Sequence, residues 1–402
     1  MLLLVDAARG LCHSLVLPPS LGTLGGRALA SLLAQGSADL ALPQESRLVL
    51  APGLLAHYTD ETFSRLAIAS YLPGQPGLRL ASAGGAAAAA LAKLGFRALL
   101  VQGLSAQTKV CDLVIDDTGG SFVPCQSEPC SDLGQRMANL SRSYPKASCL
   151  ITVSRLGRYN IPIASTSISD SQLRPSSHAG SFSGFLLGRA GIASIIFQRS
   201  CATKAKSQHK ERLRSCLQAF ASLPAESGAD PTCSLVCARC QVTKGHARKS
   251  KGKWPGFAEY WSCGSPEKDR FFLDRYAALC DQLEIDAFAL AQRLTELKQL
   301  LPEKRPDLVL KELTILNEKP EASSLLSSLK DWFPEQTEEK ASRARLLIDT
   351  LGLCRFAQKR QKDPRLLQRL VLELSEQSAE DYRALEEKIL SCESPFSSAS
   401  PR

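Results

Sequence analysis

Ser82-Ala-Gly-Gly-Ala-Ala-Ala-Ala-Ala-Leu-Ala-Lys-Leu-Gly-Phe-Arg-Ala-Leu-Leu-Val-Gln-Gly103 holds a turn, a helix and a strand in one stretch, and it sets the fold of the N-terminal half. The alanine run within residues 84–94 predicts a helix whose small side chains pack closely on a sheet. Ala98-Leu-Leu-Val-Gln102 predicts the strand that follows. Working outward, Leu48-Val-Leu-Ala51, Cys111-Asp-Leu-Val-Ile115, Ser148-Cys-Leu-Ile-Thr-Val153 and Ile192-Ala-Ser-Ile-Ile-Phe197 have the same strand character, and residues 23–33 read as another helix. From about residue 208 leucine, glutamate, lysine and arginine dominate, with helical periodicity over residues 271–300 and 343–390. Residues 302–339 are Pro-interrupted and predict shorter helices and loops. The expected fold is α+β: a β-rich domain over residues 1–205, a mainly helical region over 206–393, and a disordered Ser/Pro tail over 394–402.

At 402 residues and 44% hydrophobic content the chain can bury a real core. Much of its net charge of +9 sits in residues 204–214 and 244–253. Such runs are ordinarily solvated surface, and the sharper alternative is a docking face for an acidic electron carrier. Only Trp254, Tyr260 and Trp261 lie near the second run and no nucleic-acid module is recognisable, so nucleic acid is not an expected partner. The 14 cysteines are dispersed rather than set in a dense disulfide framework. Asp6 and Arg9 interrupt the apolar start, and no apolar stretch is long enough to span a bilayer. A cytoplasmic protein in a reducing compartment is the expectation.

Cys233-x3-Cys237-x2-Cys240, preceded by Asp230 and answered far away by Cys354, has the makings of a metal centre. The spacing alone fits a radical-SAM cluster, a zinc site or part of another iron–sulfur protein. The triad follows the β-rich half, whereas a radical-SAM triad would precede repeated βα units. Zinc on Cys233, Cys237, Cys240 and His246 leaves Cys354 unexplained.

Several segments, in one order along the chain, resemble the aldehyde:ferredoxin oxidoreductase family. They are Leu3-Leu-Val-Asp6-Ala-Ala-Arg-Gly10, Leu24-Gly-Gly-Arg27, Gln44-Glu45-Ser46 with Gly53, Ser82-Ala-Gly84-Gly85, and His178-Ala179-Gly180 with Gly184 and Gly188. In the helical part, Ala258-Glu259-Tyr260 resembles Pro-Glu-Tyr-Glu. Asp281-Gln-Leu-Glu-Ile-Asp286 resembles the pterin motif Asp-x-x-Gly-Leu-Asp, and Asp349-Thr-Leu-Gly352-Leu-Cys354 resembles Asp-x-x-Gly-Leu-Cys. The resemblance implies a tungsten or molybdenum bis-pyranopterin beside a [4Fe-4S] cluster. It also implies oxidation of an aldehyde or related carbonyl to the acid, with electrons passed to a ferredoxin or other iron–sulfur carrier. A pterin needs close backbone amides and carboxylate acceptors. On this resemblance Arg65, Ser82, Gly84, Gly85, Ala179, Asp281, Asp286, Asp349 and Gly352 would bind the pterins. Glu259 would handle protons, and Asp230, Cys233, Cys237, Cys240 and Cys354 would hold the cluster.

The chain also departs from the pattern. Asp230 stands where the family's cysteine segment begins, so Asp230 ligates through oxygen, Cys240 takes its place, or the cluster is absent. Ser82 replaces the usual asparagine, Ser181 and Phe182 replace arginine and glycine, and Trp261 replaces the second glutamate. Family members are roughly half as long again, the missing stretch lying mainly between Asp286 and Asp349. His13, His57, His178, His209 and His246 all precede that stretch, and none matches the family's histidine. Two readings follow: a compact pterin oxidoreductase, or a shortened paralogue acting as an iron–sulfur electron-transfer or scaffold subunit beside a larger oxidoreductase subunit.

Overall fold

The computed structural model describes residues 1–36, 45–57, 65–105, 109–125, 132–199, 265–298, 306–334, 343–351, 364–375 and 377–393. The first series of elements is β1 (Leu2–Asp6), β2 (Leu11–Leu15), α1 (Pro19–Gly22), α2 (Gly26–Gln35), β3 (Arg47–Pro52), a 3-10 turn (Leu54–His57), β4 (Leu66–Tyr71), β5 (Arg79–Ala83), α3 (Ala87–Lys93) and β6 (Ala98–Gln102). A second series follows the same plan. It comprises β7 (Cys111–Asp116), β8 (Gly119–Pro124), α4 (Leu133–Ser143), β9 (Ala147–Val153), a 3-10 turn (Arg155–Tyr159), β10 (Thr166–Ser169), β11 (Pro175–Ala179), α5 (Ser183–Arg189) and β12 (Ile192–Gln198).

Each series makes one mixed sheet, in the orders β2-β1-β6-β3-β4-β5 and β8-β7-β12-β9-β10-β11. Strand for strand these are one topology, including, among the described residues, one parallel pair in each sheet, β1 with β6 and β7 with β12. The N-terminal domain is therefore two copies of one supersecondary unit. Register fixes the equivalences: Leu66 faces Ala83 across β4–β5, and Thr166 faces Ala179 across β10–β11. Ser82 in the first unit thus corresponds to His178 in the second.

The alternating side-chain pattern of each strand puts one row inward. Leu3, Val5, Leu48, Leu50, Ile68 and Val101 from one sheet meet Leu113, Ile115, Ile151, Ile168 and Ile195 from the other in the main core. Both α3 and α5 contribute to it, and Ala87–Leu91 of α3 is wholly buried, as the alanine run predicts. On the outer faces, α2 covers Val49, Ala51, Ala67 and Ala69, and α4 covers Val114, Leu150 and Ile196.

The helical half divides along the same line. The helices α6 (Pro266–Leu283), α7 (Ala287–Lys298), α8 (Pro306–Glu318) and α9 (Ser324–Leu329) form a core with Leu156, Ile161 and Ile163 of the second unit. The next helices, α10 (Arg343–Leu351) and α11 (Pro364–Ser375), pack on Leu54 and Leu55 of the first unit, together with Tyr382 of α12 (Ala379–Glu393). The architecture is α+β, with two mixed sheets followed by a mainly helical region. No helix among the described residues is long and apolar enough to cross a membrane.

Candidate functional site

At one end of the first sheet, β4 begins beside the end of β5. There Arg65 donates from Nε to Ser82 Oγ at 2.9 Å and from a terminal nitrogen to the Ser82 carbonyl. The turn after β5 packs against the second unit. The Gly84 N–H donates to Ser177 Oγ at 3.0 Å, and the Ala86 N–H to the Ser169 carbonyl at 2.8 Å. Gly85 needs to be glycine: its φ is +90°, and a Cβ would lie 2.8 Å from both Ile168 Cγ2 and the Ser169 carbonyl.

One residue along β11, side chains point the other way, toward the helices. His178 Nδ1 meets Ser167 Oγ at 2.6 Å, and its Nε2 lies 3.6 Å from Asp281 Oδ1. Asp281, in the last turn of α6, is half open to solvent, while His178 is mostly covered. Asp286 lies on the same side, because a Cβ on Gly180 would stand 2.7 Å from Asp286 Oδ2. Its Oδ1 accepts the Ala289 N–H at 3.1 Å and so caps α7. The β11 strand therefore separates Asp281 and Asp286 from the Gly84–Gly85 turn. Ala179, between the two groups, accepts Ser183 Oγ at 2.7 Å on its carbonyl.

Asp349 is elsewhere, on α10 against the start of α2. It is buried and pairs with Arg27 at 3.3 Å, and Gly26, at φ +52°, lets α2 meet the backbone of Asp349 and Thr350. The second unit has a matching contact that sequence reasoning missed. Glu284, buried between α6 and α7, pairs with Arg136 of α4 at 2.8 Å and accepts Thr152 Oγ1 at 2.5 Å. Arg136 also donates to the Val153 carbonyl at 2.7 Å, and Ser154 Oγ to the Leu283 carbonyl at 2.7 Å. Glu284 holds φ +51°, the left-handed region, at the place where the resemblance expects glycine. Its signal in the sequence was that substitution.

Phe182 is the other such place. At φ +59° it keeps a left-handed backbone, yet its ring is buried under the Arg79 guanidinium at 5.1 Å and edge-on to Phe333 at 5.5 Å. A left-handed backbone costs a residue bearing a Cβ about 1–2 kcal/mol, so buried contacts must offset it at both positions.

Asp230, Cys233, Cys237, Cys240, Glu259, Gly352 and Cys354 lie outside the described residues. Among the described residues no group of three or more His, Cys, Asp or Glu side chains is placed to hold a metal. Several of those assigned to pterins have partners inside the protein. The Gly84 amide is donated to Ser177, the space over Gly85 is filled by Ile168 and Ser169, Asp349 is held by Arg27, and Asp286 caps a helix. Asp281 and His178 form a polar pair whose carboxylate is open to solvent.

The duplicated sheet domain is the fold of an oxidoreductase N-terminal domain, and the helices packed on it extend the likeness to a solved reductase. Residues 2–199 match the N-terminal domain of aldehyde ferredoxin oxidoreductase, so the β domain belongs to that domain family. Among solved structures it is similar in fold to the active-site complex BamBC of benzoyl coenzyme A reductase with 1,5-dienoyl-CoA, at a TM-score of 0.57 and 13% identity. The match covers 81% of this chain and 61% of that one. No curated protein matches the chain by sequence.

Proposed function

We propose that this chain is a pterin-free subunit of an aldehyde-oxidising assembly, an iron–sulfur electron-transfer or scaffold chain beside a larger oxidoreductase subunit. In that assembly an aldehyde or related carbonyl takes oxygen from water to become the acid at the partner's tungsten or molybdenum bis-pterin. The oxidation releases two electrons and two protons, and a [4Fe-4S] cluster held by Asp230 or Cys240 with Cys233, Cys237 and Cys354 would supply the electron path to a ferredoxin-type acceptor. The observation that carries this reading is the commitment of Asp286, Asp349 and the Gly84 amide to partners inside the protein.

A second reading, in which the chain itself oxidises the aldehyde, is favoured by the family domain over residues 2–199. Glu259 would then handle protons, and Asp230 or Cys240 with Cys233, Cys237 and Cys354 would hold the cluster.

Metal analysis of the full chain, purified from cells supplied with tungstate and molybdate, separates the two. The subunit reading expects neither metal, with about four irons per chain for the electron-transfer form and none for the scaffold. Tungsten or molybdenum near one per chain, with aldehyde-dependent reduction of a viologen dye, would replace it with the second reading.

A further inference from the structure

The two units of the β domain are each gripped by a carboxylate from the helical half. In the first unit Arg27 of α2 holds Asp349 of α10 at 3.3 Å, and in the second Arg136 of α4 holds Glu284 after α6 at 2.8 Å. All four side chains are at most 9% exposed. The two arginines come from equivalent helices, each following the second strand of its unit. Both carboxylates belong to the two segments whose resemblance is to pterin motifs.

We infer that these pairs are clasps, one per unit, that close the helical half on the β domain without a cofactor. The inference rests on the pterin-free reading and specifies what has taken the cofactor's structural place. Backbone bonds at the second clasp point the same way: the Ser165 N–H donates to the Glu284 carbonyl at 2.8 Å and the Asp286 N–H to the Ile163 carbonyl at 2.8 Å. The first clasp is as close, since a Cβ on Gly26 would stand 2.2 Å from the Asp349 carbonyl oxygen. Removing one member of a buried ion pair is unfavourable, so each carboxylate stabilises its arginine.

The test uses the full chain made in cells that cannot synthesise the pterin. Arg27→Met, Asp349→Asn, Arg136→Met and Glu284→Gln are each expected to lower Tm by at least about 3 °C in this cofactor-free protein. The paired variants Arg27→Met/Asp349→Asn and Arg136→Met/Glu284→Gln should recover part of that loss, because the two opposite charges of a pair are removed together. Hydrogen exchange should quicken at the Ser165 and Asp286 amides in Glu284→Gln. Single variants without effect on Tm, or pairs that merely add, would overturn the clasps. If a single variant does not fold, its paired variant still reports the coupling. Recovery of tungsten or molybdenum from pterin-competent cells would sink the subunit reading separately, because the clasp measurements are made without cofactor.

Discussion

Glu284 joins two effects that oppose each other. Its left-handed backbone, at φ +51°, is unfavourable, while its carboxylate neutralises Arg136 and accepts Thr152 in a dry site. Removing one member of a buried pair typically costs about 3–5 kcal/mol, more than the 1–2 kcal/mol of backbone strain that a glycine would relieve. Glu284→Gly is therefore expected to lower the urea midpoint of the full chain despite restoring the conformationally easier residue. Phe182→Gly should do likewise, since losing a buried phenylalanine costs about 3–5 kcal/mol. The thiols give a pH prediction. Burial pushes Cys12 and Cys111 up to about 11 and Cys149 up to about 12 from an ordinary 9.0. These groups keep their protons in the folded chain to a higher pH than in the unfolded one. Their contribution to stability is thus full below about pH 9 and lost as pH rises through 11 and 12. Thermal melts between pH 8 and 11 should fall progressively, and alkylation of the folded chain at these three positions should be slow at pH 8.

At the scale of elements, helical periodicity runs over residues 271–300, and the structure divides it into α6 and α7 with a break at Glu284. A glutamate carries no signal for a left-handed stop, so the break was written in the missing glycine rather than in any residue present. The start of α6 was better marked: Ser265 accepts the Lys268 N–H at 3.3 Å, and Pro266 follows at the first helical position. Asp286 is the corresponding cap of α7, and Asp286→Ala is expected to cost about 1 kcal/mol. Equal losses in tungstate-fed and tungstate-starved protein would mark it as a cap; a loss confined to the fed protein would mark it as a ligand. The strands legible in sequence were the apolar ones, such as β6, β7 and β12. The β11 strand, Pro-Ser-Ser-His-Ala, has no such pattern, and its pairing with β10 makes it a strand.

At the scale of the molecule, the duplication explains why candidate site residues arrive in matched places. Ala83-Gly84-Gly85-Ala86 leads into α3, and Ala179-Gly180-Ser181-Phe182 leads into α5 from the equivalent strand. Few identities survive between the units, so the repeat is visible in strand order and not in letters. The central strands of both sheets, β1, β6 and β3 with β7, β12 and β9, should exchange their amides slowest, and the edge strands β2 and β8 fastest. Uniformly fast exchange in one sheet would argue against two equally packed units.

The sequence by itself determined the composition of the core, the alanine helix that fits between two sheets, and the ordered motifs that mark the family. These are local properties, set by side-chain size, periodicity and spacing. Only the tertiary structure decided what the motif residues do. A carboxylate five positions from another reads as a ligand pair along the chain, but its role depends on which cation, helix end or strand face meets it in space. Here Asp349 met Arg27, Asp286 met the start of α7, and Glu284, the departure from the motif, met Arg136.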